Sequence, residues 1–261
     1  MKEEQLKKTN FLSHIEQLRW HLAYSFLAIC LFTVISFVNI KIIFDKFIFS
    51  FIDPDFPTYK LFCSISENLC LNPITLQFQN IDLAGQFNMS LLVSVISGII
   101  FSFPYLMWEF WMFIKPAMYI DERKYAKLLI SISVILFVLG ILFGYFFITP
   151  LSLNFLSSFN VSDIIVNDIN FISFVKTITK FIILCGLTFQ FPLIIFFLAK
   201  FNLVTGKFLK NHRKHAFVLV LILASIITPP DVLSQLLISL PLIILYEFSI
   251  LVVQFVQKNK R

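Results

Sequence analysis

The sequence predicts an all-α, polytopic membrane protein with six transmembrane helices, and three observations carry that prediction. Of the 261 residues 58% are hydrophobic and only 14% charged, with a mean hydropathy of +0.87, whereas a soluble globule carries about 25% charged residues. Apolar runs near the length that crosses a ~30 Å hydrocarbon layer as a helix recur along the chain. Lysine and arginine gather at alternate ends of those runs, as the positive-inside rule requires. The net charge of +6 would suggest nucleic acid in a soluble protein. Here the basic residues flank apolar runs and set orientation first, so the expected partner is the lipid bilayer and not nucleic acid.

Taken in order, residues 1–21 form a polar, partly basic head in which Phe11, Leu12, Ile15, Leu18 and Leu22 recur at helical spacing. That spacing predicts an amphipathic helix lying on the surface and leading into the first span, 22–40. No cleavable targeting segment is visible in MKEEQLKKTN and the residues after it. Residues 42–52 carry Asp45 and Lys46, too much charge to cross, and are placed in the interface. DPDFP then opens a long polar loop to Gln86, where Cys63 and Cys70 either pair, if the loop faces an oxidising compartment, or remain free thiols. The second span, 87–114, contains Pro104 and stops at Lys115-Pro116 beside Trp108 and Trp111, whose rings favour the headgroup region. The third span, 128–148, ends at Thr149-Pro150, and the fourth, 181–199, ends at Lys200. A fifth span, 216–228, and a sixth, 232–253, both short, flank Pro229-Pro230, which no helix continues through in mid-bilayer; a single re-entrant hairpin is the alternative. The whole chain reads as a single six-span domain. Sixteen of its 21 lysines and arginines fall on one side, so both termini are expected at the cytoplasmic or matrix face.

Charge inside hydrocarbon costs at least ~2.5 to 3.5 kcal/mol, so each intramembrane polar residue is a functional lead. Glu109 is either an interfacial acid beside the tryptophans or a working carboxylate. Glu247 either hydrogen-bonds a neighbouring helix or acts directly, and Gln190 either ties two helices together or gates. Asp231 suits a helix N-terminus. The four histidines have no metal-ligand spacing, and no phosphate loop or nucleophile elbow is present, so neither an enzyme nor a cofactor is expected. Thirty-four phenylalanines against six glycines, with abundant Ile, Lys and Asn, suggest an AT-rich genome. This composition leans towards a mitochondrial inner membrane, with a bacterial plasma membrane as the alternative.

Three stretches carry a resemblance. His14-Ile15-Glu16-Gln17-Leu18-Arg19-Trp20-His21-Leu22 resembles HLxELRxRL, Phe101 to Arg123 resembles FxxPYxxxxxWxFxxPxLxxxER, and Thr228 to Glu247 resembles TPPDxxSQxxxxxPxxxLYE. These are motifs of the TatC family, the multi-spanning subunit of the twin-arginine protein translocase. The resemblance implies a receptor for twin-arginine signal peptides of folded proteins. It would work with TatA- and TatB-type single-span subunits and further copies of itself, driven by the proton-motive force without hydrolysing nucleotide. By position it implies Glu16, Gln17, Arg19, Pro104, Phe113, Glu122 and Arg123 for the signal peptide, and Thr228, Asp231 and Gln235 for partner subunits. Two positions depart from the pattern: Gln17 and Gln190 stand where the family has, or often has, glutamate. The second function to weigh is a secondary transporter or proton channel using Glu109, Gln190 and Glu247; a third is a structural subunit of a respiratory complex.

Overall fold

The computed structural model describes residues 2–65, 78–115, 126–158, 169–200, 203–227 and 232–258. Every described element is helical except one short parallel pairing of β1 (Phe78–Gln79) with β2 (Ile169–Asn170), in which Phe78 faces Ile169 and Gln79 faces Asn170. The helices are α1 (Lys2–Val38), α2 (Ile40–Ile43), α3 (Pro57–Ile65), α4 (Gly85–Ile114), α5 (Ala126–Phe143) and α6 (Thr149–Ser158). They continue with α7 (Phe171–Thr188), α8 (Phe191–Lys200), α9 (Gly206–Asn211), α10 (Arg213–Ile227) and α11 (Val232–Lys258). Among the described residues four stretches are long and apolar enough to cross a membrane: Ile15–Val38, Gly85–Ile114, Leu128–Ser158 and Phe171–Ala199. Large apolar side chains such as Phe26, Leu27, Val38 and Leu139 are exposed on them, as lipid-facing surfaces require. At 15 residues, α10 spans only ~22 Å at 1.5 Å per residue, short of the ~30 Å core.

The contacts divide the chain into two compact units, residues 1–41 with 90–135, and residues 42–89 with 136–261. Both long-range boundaries fall inside helices α4 and α5 and not in linkers, which is why no change of composition marks them.

In the first unit α1 meets α4 at Gly98. A Cβ placed there would lie 2.8 Å from the Thr33 amide nitrogen and 2.9 Å from its Cα, so only glycine lets the two backbones approach. The head, expected as a surface helix leading into the first span, runs into it without a break as the first part of one 37-residue helix. Nothing between Lys2 and Val38 breaks it, since this stretch contains neither proline nor glycine.

The second unit is where expectation and structure part most. Thr149-Pro150 does not end the third span. The chain passes through a π-helical turn at Gly144–Ile148 and continues as α6 to Ser158. Widening by one residue lets the Thr149 amide and hydroxyl both donate to the Gly144 carbonyl. Proline at 150 offers no N–H to the carbonyl of Phe146 four residues back, and the Thr58 hydroxyl of α3 donates to that carbonyl instead. α3 itself lies in the stretch read as plain loop. It is held by an aromatic cluster of Phe51, Phe56, Tyr59, Tyr145 and Phe146, with Phe51 and Tyr145 centroids 4.9 Å apart. Tyr59 donates to the Phe51 carbonyl at 2.8 Å, and burial pushes its phenol up to about 12.

The fourth span starts about ten residues earlier than expected, at Phe171, because the Asn170 side chain caps it by accepting from the Ile172 amide at 2.8 Å. It breaks at Phe189–Gln190, two residues before Pro192, and resumes as α8. α5 and α7 are pressed together by small residues on both sides. A Cβ on Gly140 would sit 2.7 Å from the Cys185 carbonyl oxygen and 2.9 Å from Gly186 Cα. Around this crossing Ile148, Phe181, Cys185, Val220, Ala224, Ile238 and Leu242 form one buried core; Ile195, Ala199, Leu209, Tyr246, Ile250 and Val253 form a second. Of the loop cysteines, Cys63 is disulfide-bonded, while Cys70 lies outside the described residues.

Candidate functional site

In the first unit one helix face of α4 carries Tyr105, Glu109 and Phe113, each one turn from the next. His21 Nδ1 of α1 donates to Glu109 Oε2 at 2.5 Å. The carboxylate is buried, its side chain 11% exposed, while the imidazole keeps 26% of its surface. Phe113 meets the imidazole edge to face, centroids 6.3 Å apart at 67°, and Tyr105 lies one turn before the carboxylate on the same face of α4. Removing an unpaired carboxylate from water costs several kcal/mol, so the hydrogen-bonded imidazole is what makes a buried Glu109 tolerable. One turn before His21 on the same face is Gln17. Glu16, Gln17, Arg19 and Trp20 are all exposed, and the Arg19 guanidinium carbon lies 5.9 Å from the Trp20 ring centroid. Pro104 is exposed within α4.

The second unit holds the other intramembrane carboxylate differently. Arg213 Nη2 donates to Glu247 Oε2 at 2.6 Å, with the two side chains 41% and 37% exposed. Beside it the Tyr246 hydroxyl donates to the Leu209 carbonyl at 2.8 Å. Together they fix α9 and the start of α10 to α11, which is the helix-tying reading of Glu247. Gln190 is buried and sits in the break between α7 and α8, where its carbonyl accepts from the Leu193 and Ile194 amides; it is therefore not in the middle of a continuous span. Gln235 Nε2 donates to the Leu221 carbonyl at 3.0 Å and so links α10 to α11, which at 27 residues is not the short helix expected. Glu122, Arg123, Thr228 and Asp231 lie outside the described residues. Among the described residues no group of three or more His, Cys, Asp or Glu could hold a metal ion.

Three contributors were not singled out from the sequence. His21 was noted only as a basic position, Tyr105 only as part of a motif, and Arg213 only as an orienting charge. The signal for all three is the same: an acid in an apolar run demands a donor, and His21 and Arg213 are basic residues at the end of a neighbouring span.

Fold and site define a helical integral membrane protein whose polar chemistry is held at the basic ends of its spans. The chain matches the family model described as Sec-independent protein translocase protein (TatC) over residues 13–241. It is 41% identical over 257 residues to the Sec-independent protein translocase protein TatC of Blattabacterium sp. subsp. Periplaneta americana, covering 96% of this chain and 97% of that one. It is 32% identical over 257 residues to that of Desulforapulum autotrophicum, covering 97% and 87%. The crystal structure of the twin-arginine translocase receptor TatC matches with a TM-score of 0.74 at 26% identity, over 93% of this chain and 98% of that chain. A second crystal structure, of the receptor in DDM, matches with a TM-score of 0.76 at 27% identity, over 91% and 98%. The chain belongs to the TatC family.

Proposed function

We propose that this chain is the receptor subunit of a twin-arginine translocase, binding the signal peptides of folded proteins at its cytoplasmic face. The observation that supports this most is that two separate family motifs meet in one place. His21 of the head motif is bonded to Glu109 of the central motif, next to exposed Glu16, Gln17 and Arg19. Glu122 and Arg123 follow α4 in the sequence among basic residues, and a carboxylate there suits an incoming guanidinium. The reading includes six spans with both ends on the cytoplasmic side. It places TatA- and TatB-type subunits against Thr228, Asp231 and Gln235, expects further copies of this chain in the complex, and draws on the proton-motive force. The relatives reported above are bacterial, which favours a bacterial plasma membrane over the mitochondrial one suggested by composition.

A secondary transporter built on Glu109, Gln190 and Glu247 needs those groups free to exchange ions. Glu109 and Glu247 are instead each bonded to a basic side chain of their own unit. The test is photocrosslinking of a twin-arginine peptide from probes placed beside Glu122. Labelling there, lost in Glu122→Gln while insertion stays normal, is expected. Labelling confined to the opposite membrane face would remove the receptor reading.

A further inference from the structure

We propose that Glu109 is a carboxylate that receives one guanidinium of the signal peptide, giving up its bond to His21 in exchange. This rests on the receptor reading and specifies its chemistry. A peptide with two adjacent arginines is best held by anionic acceptors, and Glu16 and Glu109 are two carboxylates of the first unit. Glu16 is on the exposed side of α1, about 100° around the helix from Gln17. Glu109 faces the same strip as Gln17 and His21, so an arginine entering along that strip meets an amide oxygen first and the carboxylate one turn on.

The present bond suits exchange. The imidazole offers a single Nδ1 donor to one carboxylate oxygen at 2.5 Å, whereas a guanidinium fork offers two parallel donors to both oxygens. His21 is more than twice as exposed as the carboxylate it covers, 26% against 11%, so it can turn outward without burying a new charge. Phe113 packs on the imidazole and not between it and the carboxylate, and so serves equally as a wall for the aliphatic stem of an arginine. No charge is left unpaired at the end of the exchange. Arg213 and Glu247 lack this character, because a guanidinium already holds that carboxylate and an incoming one gains nothing over it.

The experiment uses the full chain in lipid nanodiscs, with a fluorescent twin-arginine peptide and the same peptide carrying twin lysine. The unsubstituted chain should prefer arginine by about tenfold or more, the scale of one charge-assisted bidentate pair. Glu109→Gln should bring the two peptides to within about twofold by weakening only the arginine peptide. His21→Ala should tighten the arginine peptide several-fold. Modification of His21 by diethylpyrocarbonate should rise when the arginine peptide is added and stay level with the lysine peptide. If Glu109→Gln inserts poorly, Glu109→Asp, which keeps the charge and shortens its reach, should give an intermediate preference. A full arginine preference in Glu109→Gln or Glu109→Asp, or a His21 reactivity that does not respond, would overturn the exchange and leave the receptor reading standing. No arginine preference in the unsubstituted chain would overturn both.

Discussion

The two units hold an acid near the end of a span in opposite ways. In the first, Glu109 is buried and its partner is an imidazole that is more exposed than itself. In the second, Glu247 and Arg213 are about equally exposed, and the cation is a permanently charged fork. Each unit also has one backbone crossing that only glycine permits, Gly98 against Thr33 and Gly140 against Cys185 and Gly186. The comparison teaches that packing is similar in kind while electrostatics differ: one pair is arranged to be given up, the other to stay.

The largest expected effects come from the crossings, because there the obstacle is backbone and cannot move aside. Gly140→Leu and Gly98→Leu should each cost about 3 kcal/mol or more, the upper range of overpacking, read as a fall in the thermal midpoint of the purified protein. Gly186→Ala should cost less, because its new Cβ meets the ends of the Ile141 and Phe137 side chains, which can turn. Equal losses at Gly186 and Gly140 would mean the contact type does not matter.

Next is the contrast between the pairs. Glu109→Ala should destabilise by about 2 kcal/mol, since it strands a donor beside a buried site. Glu247→Ala should cost about 1 kcal/mol or less, discounted because both groups are more than a third exposed. A larger loss at Glu247 would contradict the discount for solvent screening at that pair. Thr58→Val should cost about 1 to 2 kcal/mol by leaving the Phe146 carbonyl below Pro150 without its donor; no loss would mean water replaces the hydroxyl.

A further expected effect, seen only at high pH, is at Tyr59, on α3 in the loop outside the spans. Its folded pKa is raised from 10.0 to about 12 by burial, so the folded protein holds that proton more tightly than the unfolded chain does. The stabilisation is therefore fully present below pH 10 and is lost as pH rises towards 12. Ultraviolet titration should show one phenol ionising near pH 12, absent in Tyr59→Phe. Ionisation of all tyrosines near 10 would contradict the buried cluster.

Much of this was legible in the sequence because lipid imposes a length and a charge rule on every span. Helix α4, the 15-residue α10 and the start of α11 lie close to where hydropathy put apolar segments, and Glu109 and Glu247 stand out as acids in apolar runs. What hydropathy does not record is how backbone groups are satisfied. Thr149-Pro150 looked like a stop because proline lacks a donor; the structure instead widens the turn and uses Thr58 from a distant segment. Gln190 looked central because the break at Phe189 costs no charge and shows only as a proline two residues later. His21 was hidden for a different reason: pairing between helices 88 residues apart depends on how α1 crosses α4, which local periodicity does not contain.

The central claim is that the basic face of this protein reads arginine and not positive charge in general. The measurement that tests it most directly is the ratio of dissociation constants for a twin-arginine and a twin-lysine signal peptide on the unsubstituted chain in nanodiscs. A ratio of about ten or more in favour of arginine is expected. Equal affinities would contradict it, since a surface that attracts cations without a planar, bidentate acceptor binds both peptides alike.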